Sequence, residues 1–167
     1  MRGTGAQDAP GAPSAQAGST PLEVLIVVAI IGILANLALP LTVYLVKRAQ
    51  AQSIVNDFLA VQQAAIEYHS AHGRFPGEYP TGQEPPELAP YLKSHVDWNN
   101  PRLAVQYDWE NWTTASGAPR YQAFGALAGF TVQTGNSDLL QMIRRVYPGP
   151  YVVTFRNTRI TLAIQAR

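Results

Sequence analysis

The chain has 167 residues, room for one modest domain plus an appendage. It is 47% apolar and only 14% charged, with twelve Lys and Arg against eleven Asp and Glu, which excludes a disordered polyelectrolyte and leaves no bulk field to hold nucleic acid. It contains no cysteine, which excludes a disulfide scaffold, thiolate-held metals and thiol catalysis.

In chain order, residues 1–18 read MRGTGAQDAPGAPSAQAG and lack any periodic apolar pattern, so they are expected to be disordered. A helix is predicted to start at Ser19-Thr20-Pro21-Leu22-Glu23. Ser19 or Thr20 can cap it, Pro21 suits the first turn, and Glu23 faces the positive end of the helix dipole. From Val24 to Val46 no residue is charged; the only charges before Lys47 are Arg2, Asp8 and Glu23. A membrane helix needs about 20 apolar residues, whereas the apolar part of a secretory signal has about 7–15, so this run reads as a membrane anchor. Gly32 and Ala35 permit close approach of helices. Pro40 removes one helix hydrogen bond and is expected to kink or locally melt the helix, with the polar Asn36 one turn earlier in the same weak zone.

The helix continues amphipathically to His72. Ile54, Phe58, Val61, Ala65 and Tyr68 fall on one face, with Val55, Leu59 and Ile66 beside them. Gly73 stops it and Phe75-Pro76 lie beyond. A helix from Thr20 to His72 would be about 80 Å long, too long for one domain to bury. His69 and His72 read as ordinary helix-end residues rather than a metal pair. Residues 76–90 hold five prolines and form a surface loop, with a short helix at Glu87–Lys93. Strands are predicted at Leu103–Tyr107, Tyr121–Phe124, Phe130–Thr134, Tyr151–Arg156 and Arg159–Ile164, and a short helix from Ser137-Asp138 to Arg145. The sum is α+β: one long helix packed on a small, mostly antiparallel sheet. Trp98, Trp109 and Trp112 sit among Asp97, Asp108 and Glu110, as a core edge or as a partner surface. Residues 78–110 are acid-rich and residues 139–167 carry five arginines and no acid. Asn111-Trp112-Thr113 matches a glycosylation acceptor triplet. No catalytic constellation is present: there is no Walker loop, dinucleotide fingerprint, nucleophile elbow or H-E-x-x-H.

The stretch from Gly18 to Pro40, GSTPLEVLIVVAIIGILANLALP, resembles the N-terminal processing and methylation segment of type IV pilins and type II secretion pseudopilins. Tyr68, Gly73, Phe75 and Pro76 resemble the pattern that ends the long helix of pseudopilins. The resemblance implies a pilin-like fold in three parts: a leader at 1–18, a membrane and filament-core helix at 19–46, and a periplasmic globular domain at 47–167. It implies a structural subunit, not an enzyme, most readily of the type II secretion pseudopilus, with a type IV pilin or a non-polymerising minor pilin or binding module as alternatives. A prepilin peptidase would cut after Gly18 on the cytoplasmic side of the bacterial inner membrane and methylate Ser19, and inner-membrane machinery would assemble the filament. Assembly would fall to Glu23, Gly32 and Pro40. No cofactor is implied beyond a calcium loop like that of major pseudopilins, which needs six to eight oxygens and is supported poorly because this chain lacks a dense Asp/Asn/Gly ligand run. Three departures stand out: Ser19 replaces the usual Phe, Pro21 the usual Leu, and the leader lacks a basic residue beside Gly18.

Overall fold

The computed structural model describes residues 20–120, 126–147, 149, 152–155 and 158–164. They divide into two compact units, residues 1–41 and residues 42–167. Helix α1, Pro21–His72, is the first element. Thr20 caps it: its carbonyl accepts from the Glu23 and Val24 amides at 3.0 and 3.2 Å, and its Oγ1 accepts from the Glu23 amide at 3.3 Å. The helix runs through Pro40 without interruption, so the missing N–H does not melt it. In the first unit its apolar side chains are exposed, among them Leu25, Ile31 and Leu34. It is the one described helix long and apolar enough to cross a membrane.

In the second unit the same helix has a buried face. Ala51, Ile54, Val55, Phe58, Val61, Ala65 and Tyr68 are buried, as their spacing predicts. Leu59 and Ile66, which flank that stripe in sequence, are instead 45% and 39% exposed. The helix stops at Gly73, whose φ of +70° is a left-handed conformation that costs glycine little, with its amide closing on the His69 carbonyl at 2.8 Å.

The buried face meets one side of an antiparallel sheet of order β1-β2-β3-β5-β4, made of β1 (Asn99–Asn100), β2 (Val105–Asn111), β3 (Ala128–Thr134), β4 (Val152–Phe155) and β5 (Arg159–Ile164). Alternation sends Val105, Tyr107 and Trp109, then Phe130 and Val132, then Ile160, Leu162 and Ile164 into the core. The Phe130 ring is the hub, 6.0 Å from Phe58, 4.7 Å from Tyr107 and 5.9 Å from Trp98 between centroids. Helix α2, Ser137–Val146, buries Leu139, Leu140, Met142 and Ile143. Its cap is Asn136, one residue before the expected Ser137: Asn136 Oδ1 accepts from the Leu139 amide at 3.2 Å. The short helix expected at Glu87–Lys93 is a single 3-10 turn, Ala89–Tyr91. β2 starts and ends later than expected and runs to Asn111. The strand expected at Tyr121–Phe124 lies outside the described residues.

The outer edge of β2 is closed. Its Tyr107 amide donates to the Trp98 carbonyl at 2.9 Å and its Tyr107 carbonyl accepts from the Gly82 amide at 2.7 Å. The Asn111 amide donates to Glu78 Oε2 at 3.1 Å.

β1 joins β2 through the turn 101–104, in which Asn100 Oδ1 accepts from the Arg102 and Leu103 amides at 3.1 Å each. Ala104 closes this turn at φ +52° with an exposed side chain. A Cβ is strained there and glycine is not. Ala104→Gly is expected to stabilise the domain by about 0.5–1 kcal/mol, read as a rise in urea midpoint at unchanged slope; a fall in midpoint refutes the strain.

Candidate functional site

Five residues are expected to carry processing and assembly. Gly18 and Ser19 lie outside the described residues. Glu23 stands exposed in the first turn of α1, two residues beyond Pro21, where its charge meets the helix N-terminus. Gly32 is exposed, and a Cβ built on it would touch nothing within 4 Å, so that side of the helix is open to a close neighbour. Asn36 folds its side chain back along the helix, Nδ2 donating to the Gly32 carbonyl at 3.0 Å. Pro40 has no N–H to give the Asn36 carbonyl. Among the described residues, Glu23, Gly32 and Asn36 are stations along one exposed apolar helix, and the chemistry open to them is insertion into lipid, packing against helices and pairing of the Glu23 charge.

Within the second unit, the end of α1 is tied down by Glu87. Its Oε1 accepts from Tyr68 Oη at 2.7 Å and from Arg74 Nη2 at 2.9 Å, and its Oε2 from the Gly77 amide at 2.6 Å. The Tyr68 hydroxyl, with help from these partners, holds the Glu87 carboxyl below the usual carboxylate range. His72 stacks on Tyr68 at 4.2 Å and His69 lies over Phe75 at 4.5 Å, so the two histidines go to separate ring contacts. Phe75 and Pro76 are buried, and the Pro76 carbonyl takes both Trp109 Nε1 at 3.3 Å and Asn111 Nδ2 at 2.7 Å.

That last bond settles the glycosylation triplet structurally. The amide nitrogen that would carry a sugar is already donating, and Asn111 Oδ1 accepts from the Thr113 amide and Thr113 Oγ1 at 2.8 and 2.7 Å. The triplet is a side-chain turn ending β2. The three tryptophans divide. Trp98 and Trp109 are core residues, and Trp98 Nε1 is buried without a hydrogen-bond partner. Trp112 lies over the sheet's other face, its Nε1 donating to Glu110 Oε2 at 2.9 Å. Glu110 also accepts from Thr131 Oγ1. The Thr131 proton is thereby used, so Thr161 donates in the 2.7 Å bond between the two hydroxyls. Burial, aided by the Glu110 charge, raises the Glu78 and Asp108 carboxyls above their ordinary range. Among the described residues, no group of three or more His, Cys, Asp or Glu gathers closely enough to hold a metal ion.

Asp57 was missed by the sequence reading. It lies on the second half of α1, and Tyr107 Oη donates to its Oδ2 at 2.7 Å across the helix–sheet interface. Burial pushes Asp57 up and, with the Asp57 bond, pushes Tyr107 up further. A carboxyl whose folded pKa is raised stabilises the fold fully below its unfolded pKa, about 3.9, and less as pH rises through the folded value. Asp57→Asn keeps an acceptor for Tyr107 and removes the charge. The variant is expected to gain on the parent chain as pH rises from about 3 to 7, followed as the difference in urea midpoint; a difference that is flat with pH contradicts this.

Over 103 residues the chain is 32% identical to type II secretion system core protein G of Aeromonas hydrophila, a match covering 58% of this chain and 69% of that relative. The chain belongs to the type II secretion pseudopilin family. No family model matches it, and neither does any solved structure. The α+β arrangement is consistent with the pilin-like fold, and the single apolar helix with a single-pass protein of the inner membrane. The pseudopilin helix end uses all four expected residues: Tyr68 bonds Glu87, Gly73 turns the chain, Phe75 fills the core and the Pro76 carbonyl docks β2.

Proposed function

We propose that this pseudopilin is a structural subunit of a filament of pilin-like subunits serving type II protein secretion. The observation that carries the reading is the exposed, charge-free apolar run of α1 in a chain that matches a type II secretion core protein. Exposed apolar surface of this extent needs lipid or other helices around it. The subunit is inserted in the inner membrane by residues 19–46, with residues 47–167 on the periplasmic side. A prepilin peptidase removes residues 1–18 and methylates the amine of Ser19, and inner-membrane machinery draws the subunit into the filament.

Glu23 is the register device in this reading. Isolated at mid-bilayer, its charge costs about 2.5–3.5 kcal/mol. The freed amine at Ser19 is about one helical turn away, so the amine of one subunit can meet the carboxylate of a neighbour displaced along the axis. In an apolar filament core such a pair is screened little, and a missing partner is penalised. Gly32 lets the helices approach and Pro40 gives the helix a point of yield. The work is mechanical and needs no catalytic group.

Intact mass and N-terminal sequencing of the protein from native membranes test the processing. A chain beginning at methylated Ser19 is expected; retention of residues 1–18 overturns the maturation step and leaves a permanently anchored protein. Glu23→Ala is expected to insert normally and to lower filament yield at least tenfold by electron microscopy. Parental yield from this variant sinks the charge-register reading.

A further inference from the structure

The contacts of the second unit fix which end of its sheet faces the apolar run. Near the start of this unit Val43, Tyr44, Leu45 and Val46 are exposed, and Lys47 is the first charge beyond them. Lys47 Nζ donates to Asp138 Oδ2 at 2.6 Å, so the start of α2 lies at the level of Lys47. Farther along α1, Asp57 holds Tyr107, and Phe58 meets the Tyr147 ring just past the end of α2. Beyond the helix, the Pro76 carbonyl holds Trp109 and Asn111. β2 and α2 therefore run away from Lys47, and β3, antiparallel to β2, runs toward it. Asp57 is about 15 Å along α1 from Lys47, and a strand falls about 3.3 Å per residue, so Val105 and the turn before it come within about 10 Å of the level of Lys47.

At this end of the sheet lies an open cleft of about 470 Å³, with Asn99, Asn100, Gln106, Gln133, Thr134 and Thr158 among its lining. None of its lining residues is charged or aromatic. Gln106 Nε2 donates to Asn99 Oδ1 at 3.3 Å, and Asn100 Oδ1 accepts from the 101–104 turn. These bonds use only part of the capacity of the amides, which can both donate and accept. Two exposed arginines adjoin the lining in sequence: Arg102 beside Pro101 in the turn, and Arg159 beside Thr158.

We infer that this cleft receives the head group of an anionic phospholipid that carries hydroxyls, a glycerol phosphodiester, from the leaflet on the domain's side. Its place argues for a lipid. A head-group layer is about 5–8 Å thick, and the first charge after an apolar run marks where the helix leaves the hydrocarbon, so the cleft opens at the membrane surface. Its chemistry selects the head group. Amides arrayed together suit neighbouring hydroxyls, and the arginines suit a phosphodiester. An ammonium head group would call for a carboxylate or an aromatic face, and the lining supplies neither. The inference rests on the membrane insertion in the reading above and adds a lipid partner to it.

The full chain is purified in neutral detergent and offered equal amounts of phosphatidylglycerol, phosphatidylserine and phosphatidylethanolamine with matched acyl chains. Native mass spectrometry counts the lipids retained. One phosphatidylglycerol per chain is expected, at several times the occupancy of either competitor. Gln133→Ala is expected to keep the parental melting curve and to lower that occupancy at least fivefold, with the preference over phosphatidylserine lost. Arg102→Gln, on an exposed turn, is expected to lower retention of both anionic lipids and carries the test should Gln133→Ala fail to fold. Gln52→Ala, exposed on α1 and outside the cleft, is expected to change nothing. Equal occupancy of the three lipids, or a preference that both cleft variants keep, overturns the inference. Carbonate extraction of native membranes reads the anchor separately. A parent chain that stays in the membrane without a head-group preference refutes the cleft and leaves the anchor standing. A parent chain that washes out refutes the anchor. The cleft then stands if dihexanoyl phosphatidylglycerol, soluble without a bilayer, binds the parent at least fivefold more tightly than Gln133→Ala by calorimetry, and falls if it does not.

Discussion

Replacing Phe58 with alanine is expected to cost the globular unit about 3–5 kcal/mol, lowering its melting temperature by roughly 10–20 °C. Phe58 is fully buried on the face of α1 that meets the sheet. Its ring contacts Phe130 at 6.0 Å and Tyr147 at 5.3 Å, so it joins α1, β3 and the end of α2. Truncation loses the transfer energy of the ring and leaves a cavity between elements whose backbones are fixed by their own hydrogen bonds. Thermal melts of the full chain in detergent micelles, followed in the aromatic circular dichroism, read the loss. A fall below about 1 kcal/mol means that the site collapses and that the core is not built around this ring. Membrane insertion of the variant is expected to be parental, because Phe58 lies beyond the apolar run.

Gly129→Ala is expected to destabilise by about 1–3 kcal/mol, although alanine is otherwise the better strand residue. A Cβ at Gly129 would lie 2.7 and 2.8 Å from the far ring carbons Cζ2 and Cη2 of Trp112, and 2.9 Å from Thr161 Cγ2. Thr161 is fully buried on β5, which is held between β3 and β4, so the indole has to move. Moving it strains its bond to Glu110, which in turn holds Thr131. The double variant with Trp112→Ala removes the clash at its source. Its loss in urea titration is therefore expected to fall short of the sum of the two single losses by at least about 0.5 kcal/mol. Additive losses refute the contact.

Where the sequence was legible, one physical rule dominated. The start of α1 at Thr20 and its stop at Gly73 were readable because caps and left-handed glycines act within a few residues. The strand 159–164 was readable because Ile160, Leu162 and Ile164 alternate undisturbed. β2 was misplaced for the converse reason. Its outward residues include Asp108 and Glu110, so in sequence the strand reads as ending at Tyr107. The α2 cap falls one residue before the one the sequence suggests because three neighbouring polar residues, Asn136, Ser137 and Asp138, all make good caps, and only the path of the backbone chooses among them.

The assembly residues are a similar mixture. Glu23 was readable because a carboxylate at the border of an apolar run is conspicuous. Asp57 was not, since an isolated acid on a helix looks solvated until a tyrosine fifty residues away is seen to reach it. Leu59 and Ile66 lie beside the buried stripe in sequence, where apolar residues ordinarily join the core. Their exposure means that the domain covers a narrower face of the helix than the apolar pattern spans.

The closed edge of β2 bears on how this protein survives crowding. Subunits that gather before polymerising stand side by side at high local density, where a bare strand would recruit its neighbours backbone to backbone. On the β2 side the loop from Pro76 to Gly82 and the segment around Trp98 occupy the positions such a recruit would need. Backbone pairing is therefore barred at these positions of β2, and any contact made there is left to side chains, which form and release one at a time.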